Sequence, residues 1–107
     1  MSDFSLAELA ATIAERAQSL PETSYTASLL ELGPAYCARK FGEEAIEAVV
    51  VAVEQDKKAL VSEAADVIYH LLVMLQACGV GFGEVMAELG QRAGTGGLAE
   101  KAARASD

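Results

Sequence analysis

The run Val67-Ile68-Tyr69-His70-Leu71-Leu72-Val73-Met74-Leu75 is apolar on nearly every side of the helix it would form. Such a helix has to be covered on several sides. A bilayer is a poor cover. The longest mostly apolar stretch, Val67 to Val80, contains His70 and Gln76 and is too short to span one. Protein must therefore do it. The chain has 107 residues, which suits one domain of about 13 Å radius of gyration. At that size a core buries a modest share of the surface, and a partner subunit often helps. The expectation is an all-α helical bundle completed by a homodimer that buries this helix at its centre.

The rest of the chain also reads as helix. Ser5-Leu6-Ala7-Glu8 has capping-box spacing. A helix from there to about Ser19 would carry Leu6, Leu9, Ile13 and Ala14 inward, and Pro21 disfavours its continuation through Leu20. A short helix, about Ala27 to Leu32, follows a hydroxyl-rich loop and ends at Gly33. Pro34 suits the first turn of a helix running to about Gln55. Asp56 is a good N-cap for another from Lys57 to Cys78, which Gly79 would stop. A shorter helix spans Phe82 to Gln91, and the tail 94–107 is glycine-rich at its start. No linker divides the chain, so residues 1–107 are expected to form one domain. Two long helices joined by a minimal turn make an antiparallel αα-hairpin.

The hairpin carries two acidic pairs, Glu44-x-x-Glu47 and Glu63-x-x-Asp66. Spacing of three puts each pair on one helix face. Glu47 and Glu63 are both eight residues from Gln55, and Glu44 and Asp66 are both eleven away. At 1.5 Å rise per residue, each matched pair stands at one height, roughly 12 Å and 16 Å from the turn. Turned inward, four carboxylates would converge and repel, and some would have to protonate. A hard divalent cation relieves that. Mg²⁺, with Mn²⁺ the alternative, takes oxygen ligands and accepts phosphate oxygens as further ones. The plainer reading, solvated surface acids, fits either motif alone better than both together at matched heights. Glu43 is an extra ligand, a base for water, or a solvated neighbour.

One turn further out, Lys40 and His70 are each fifteen residues from Gln55. Lys40 is a candidate phosphate contact, or an ion-pair partner of Glu44. His70 is a candidate to orient or protonate a group, or a core histidine bonded to Asp66. The chain's formal charge of −8 argues against a nucleic-acid or anionic-membrane partner. An anionic ligand would then need a cation to mediate.

Other chemistries lack their residues. A di-iron bundle needs Glu-x-x-His from two helices, and this chain has one histidine and no such motif. There is no P-loop. Cys37 and Cys78 lack CxxC spacing and read as two reduced core thiols. The N-terminus is acidic, without a signal-peptide apolar region, so a cytoplasmic location is expected.

Four segments together carry a resemblance. Ser24-Tyr25-Thr26, the run Lys40-Phe41-Gly42-Glu43-Glu44-Ala45-Ile46-Glu47, the run Glu63-Ala64-Ala65-Asp66-Val67-Ile68-Tyr69-His70, and Gly97-Leu98-Ala99-Glu100-Lys101-Ala102-Ala103-Arg104 resemble the phosphoribosyl-ATP pyrophosphohydrolase family. That family lies within the all-α, MazG-like NTP pyrophosphohydrolases. The resemblance implies Mg²⁺-dependent hydrolysis of phosphoribosyl-ATP to phosphoribosyl-AMP and pyrophosphate, the second step of histidine biosynthesis. It implies Glu44, Glu47, Glu63 and Asp66 as metal ligands. Glu43 or Glu47 would orient or deprotonate the attacking water. Lys40 is the first candidate cation for the departing charge, with Arg39, Lys101 and Arg104 behind it. Ser24 and Thr26 would donate hydrogen bonds to phosphate or ribose, or else cap helices. The alternatives are a housecleaning NTP pyrophosphatase with the same metal chemistry, and a non-catalytic helical dimerisation module.

Overall fold

A computed structural model describes residues 4–94. They form five helices, α1 (Leu6–Arg16), α2 (Tyr25–Glu31), α3 (Pro34–Val53), α4 (Lys57–Ala77) and α5 (Phe82–Ala93), and no strand is present among them. The candidate cations Lys101 and Arg104 lie outside the described residues, as does the rest of the tail.

Capping accounts for most boundaries. The Ser5 hydroxyl accepts from the Glu8 N–H at 3.1 Å, and the Ser5 N–H donates back to the Glu8 carboxylate at 3.4 Å, closing the expected box. α1 ends at Arg16 rather than near Ser19. The Gln18 and Ser19 N–H groups bond carbonyls three residues back, a tighter winding that leaves the α-helix before Pro21. α2 starts two residues earlier than expected, because the Ser24 hydroxyl accepts from the Ala27 N–H at 3.1 Å and fixes the start at Tyr25.

The two long helices close alike. The Asp56 N–H reaches the Val51 carbonyl and the Gln55 N–H reaches Ala52, both at 3.1 Å. The Val80 N–H reaches Leu75 at 2.9 Å and the Gly79 N–H reaches Gln76 at 3.1 Å. These paired bonds satisfy the last carbonyls and stop the helices at Val53 and Ala77. Each closure needs a left-handed residue. Gly79 supplies one at φ 73°, but the other is Gln55 at φ 61°, where a Cβ costs about 1–2 kcal/mol. Asp56 then caps α4 through the Ala59 N–H at 3.0 Å.

α3 and α4 pack along each other as the predicted hairpin, while α1 and α2 lie against α4 and α2 also touches α3. The core is Ile13, Leu29, Cys37, Leu72 and Val73. Cys37 and Val73 mark the hairpin end away from the turn, so the small helices cover that end only. Of the expected α1 stripe, Ile13 is buried and Leu9 half-buried, but Leu6 and Ala14 are exposed. Burial pushes the Cys37 thiol up, with a smaller push from Cys78. Cys78 itself is exposed at the C-cap of α4 rather than in the core.

The turn half of the hairpin is bare. Ile46, Val49, Val50 and Val53 follow one another at helical spacing on α3, and all are exposed, Val53 at 78%. Val61 and Ile68 of α4 are exposed too. Exposed apolar side chains therefore line α3 near the turn, whereas the α4 run that the sequence pointed to lies further along the hairpin and is mostly buried or half-buried. The Cα radius of gyration is 16.0 Å, above the roughly 13 Å of a self-contained chain this size. By length and composition alone, the 21 residues of α4 are apolar enough to cross a membrane, which the shorter Val67–Val80 run did not suggest. Its Glu63, Asp66 and His70 fit a bundle helix with a polar site far better than a lipid-facing span.

Candidate active site

The hairpin brings together acids from both arms. Glu44 of α3 and Glu63 and Asp66 of α4 each offer a carboxylate oxygen, and these oxygens lie within 4.8 Å of one another. Height matching about the turn accounts for the meeting. Glu44 and Asp66 share one level, and Glu63 is one turn below Asp66 on the same face.

One atom in this group is out of balance. The Glu63 Oε2 is buried and has no hydrogen-bond partner among the described residues. A buried, unpaired carboxylate oxygen is costly and calls for a donor or a cation. The set fits a hard cation: all donors are oxygens, three are within reach of one ion, and one is otherwise unsatisfied.

Glu47 stands just outside the trio and is exposed. The proximity of the Glu44 side chain, with repulsion from Glu44 and Glu63, pushes its carboxyl above the ordinary glutamate range. Carboxylates this close disfavour one another's charged form. Glu43 is also exposed and sits between two cations, with Arg39 at 3.6 Å and Lys40 at 3.9 Å.

Lys40 and His70 both converge on Glu44. The Lys40 Nζ is 3.7 Å from the Glu44 Oε1, and the His70 Nε2 is 4.0 Å from the same atom. For Lys40, partial burial favours the neutral amine. The Tyr25 phenol and the Glu44 and Glu43 carboxylates outweigh it and hold the ammonium form above the usual lysine range. His70 is buried, and burial lowers its pKa against the pull of Glu44. Its Nδ1 has no partner among the described residues, so the hydrogen bond to Asp66 considered from the sequence is not formed.

The two candidate hydroxyls are engaged elsewhere. Ser24 is buried and caps α2. Thr26 is buried and hydrogen-bonds the Tyr69 hydroxyl across to α4. Burial raises the Tyr69 phenol, partly offset by that bond. Between them, Tyr25 points outward. Its ring stacks beside Tyr69 at 6.4 Å between centroids and 15° between planes, and meets His70 edge-on at 6.5 Å. Sequence reasoning assigned Tyr25 no role. The signal was available in the α2 start, since a cap at Ser24 turns residue 25 away from residues 24 and 26.

Comparison with known proteins shows which family the chain resembles along its length. The family model for phosphoribosyl-ATP pyrophosphohydrolase matches residues 6–93. A Rhodobacter capsulatus protein named phosphoribosyl-ATP pyrophosphatase is 59% identical over 99 residues, covering 92% of this chain and 96% of its own. One of the same name from Methylobacterium radiotolerans is 57% identical over 104 residues, or 97% of each chain. Phosphoribosyl-ATP pyrophosphatase 1 of Rhodopseudomonas palustris is 53% identical over 107 residues, the full length of both.

Proposed function

This chain belongs to the phosphoribosyl-ATP pyrophosphohydrolase family, and on that premise we propose that the carboxylates of its αα-hairpin hold Mg²⁺ for the reaction. The protein is a hydrolase that converts phosphoribosyl-ATP to phosphoribosyl-AMP and pyrophosphate, the second step of histidine biosynthesis. Supporting the metal reading is the meeting of Glu44, Glu63 and Asp66 around the unpaired Glu63 oxygen. These three would hold the ion. Glu47, whose carboxyl pKa is raised by Glu44 and Glu63 beside it, would join them as a fourth oxygen ligand. Mn²⁺ satisfies the same donors.

When bound, Mg²⁺ would screen the polyphosphate charge and polarise the phosphorus under attack. The chain's own groups supply the rest. Glu47, or Glu43 beside it, orients the attacking water and accepts its proton. The Lys40 ammonium offsets charge on the departing pyrophosphate. His70, neutral and buried, holds the Glu44 side of the cluster in place. With Ser24 and Thr26 committed to the fold, contact with phosphate falls first to Lys40. Lys101 and Arg104 remain candidates for the same role.

We also propose that the protein works as a homodimer. The apolar row Ile46, Val49, Val50 and Val53 of α3 is uncovered, as are Val61 and Ile68 of α4. A patch of that kind marks an interaction surface, and a second hairpin presents the matching face in a two-fold dimer. A single domain acting in the cytoplasm fits this reading.

The test is pyrophosphate release from phosphoribosyl-ATP and from a panel of ordinary and modified NTPs, with Mg²⁺ and with EDTA. Mg²⁺-dependent turnover of phosphoribosyl-ATP alone is expected. Preferential turnover of NTPs would move the protein to the housecleaning branch. No turnover of anything would favour a non-catalytic helical module.

A further inference from the structure

We infer that the exposed ring of Tyr25 is the surface on which the purine of the nucleotide stacks, making Tyr25 a substrate-binding residue of this site. The inference rests on the nucleotide hydrolysis proposed above and adds the part of the site that reads the base.

In the triad Ser24-Tyr25-Thr26 two hydroxyl residues flank the aromatic one. Both hydroxyls are spent on structure, one as a helix cap and one on Tyr69. The aromatic residue between them is 59% exposed. An exposed tyrosine on a helix is unremarkable alone, but this one is fixed in place. It stacks beside Tyr69, which itself packs edge-on to His70 at 5.0 Å, and it meets His70 directly. That three-ring group sets the plane of Tyr25 with little further loss of freedom on binding.

Its location matches the substrate's layout. His70 and Lys40 both contact Glu44, so Tyr25 is one residue removed from the acid cluster. Release of pyrophosphate hydrolyses the P–O–P anhydride linkage between the first and second phosphates. The first phosphate keeps its ribose and base, so the base lies a short reach from the carboxylates. An aromatic face there offers the base a stacking surface, and stacking one base on such a face is worth about tenfold or more in binding.

Stacking distant from the reacting phosphorus contributes equally to ground and transition states. Its loss should raise KM and leave kcat. The experiment compares wild type with Tyr25→Phe, Tyr25→Leu and Tyr25→Ala under saturating Mg²⁺. Inhibition by each product is measured as well. Leu keeps apolar bulk against Tyr69, so it carries the test if Ala weakens the fold. The Leu and Ala variants are expected to raise KM for phosphoribosyl-ATP about tenfold, with kcat within about twofold. Inhibition by phosphoribosyl-AMP should weaken to the same extent, while inhibition by pyrophosphate, which has no base, stays unchanged. Phe should match wild type. An unchanged KM in the Leu variant overturns the inference. So does a Phe variant as impaired as Leu, or equal weakening of both products. Loss of dimer without change in KM would assign Tyr25 to subunit contact instead, and also overturns it. A wild type inactive on phosphoribosyl-ATP would bring down the functional reading and this inference together.

Discussion

The two faces of one hairpin are built against the usual rule. The acidic face of α3 and α4 is partly sheltered: Glu44 and Glu63 are half-buried and His70 is buried beside them, while Glu47 and Asp66 are exposed. The opposite condition holds for Ile46, Val49, Val50, Val53 and Val61, which stand in water. In a self-sufficient bundle the apolar row would be inside and the carboxylates outside. The inversion teaches that each face is half of something. The acids lack a cation, and the valines lack a second protein surface. Where the fold is complete, at the core of Ile13, Leu29, Cys37, Leu72 and Val73, neither kind of mismatch occurs.

The largest effect should come from breaking the acidic face. Glu63→Gln removes a ligand charge while keeping shape. Several kcal/mol of charge stabilisation in the transition state would go, so kcat/KM should fall about 10³-fold or more, as it should with EDTA. Steady-state pyrophosphate release measures this, and circular dichroism should show unchanged helicity.

Next comes the apolar face. Val53→Lys places a charge in the proposed interface, and two-fold symmetry applies the change twice. Burying one valine is worth about 1.5 kcal/mol at least, so the dimer should weaken by roughly 3 kcal/mol, a factor above 100. Sedimentation equilibrium reads it directly. A wild type that sediments as a monomer at micromolar concentration would remove the dimer altogether.

Mg²⁺ should then stabilise the wild-type fold. At 100 times its dissociation constant it adds about 2.7 kcal/mol, enough to raise Tm by roughly 10 °C in a domain of this size. The Glu63→Gln variant should show little of that rise, whereas Val53→Lys should keep it.

The smallest effect belongs to the turn that joins the two faces. Gln55→Gly relieves the left-handed strain at φ 61° and should raise stability by about 1 kcal/mol in chemical denaturation. Activity and association should both stay put, since neither face changes.

The sequence carried the hairpin well because its signals are local. Asp56 as a cap, Gly79 as a stop and a short turn fix two antiparallel rods. Counting outward from Gln55 then brings Glu44, Asp66, Lys40 and His70 toward one place, and the side chains do converge on Glu44. Counting gives height along a helix pair but not rotation about it, so Glu47 shares a level with Glu63 yet stands outside the trio. The start of α2 was missed because Ser24 competes with Ser19, Thr23 and Thr26 as a cap in a hydroxyl-rich segment, and tertiary packing selects among them. With that start went the outward turn of Tyr25 and the burial of Thr26. The valine row on α3 has clear helical spacing, but spacing does not say which apolar stripe the chain's own small helices will reach.

Metal binding by the hairpin acids is tested most directly with Mn²⁺, followed by electron paramagnetic resonance on wild type and Glu63→Gln. Wild type should bind the ion saturably, and the variant should bind at least about tenfold more weakly with its helices intact. Equal affinity in the two proteins would contradict the account, because Glu63 and its unpaired oxygen would then have no part in holding the ion.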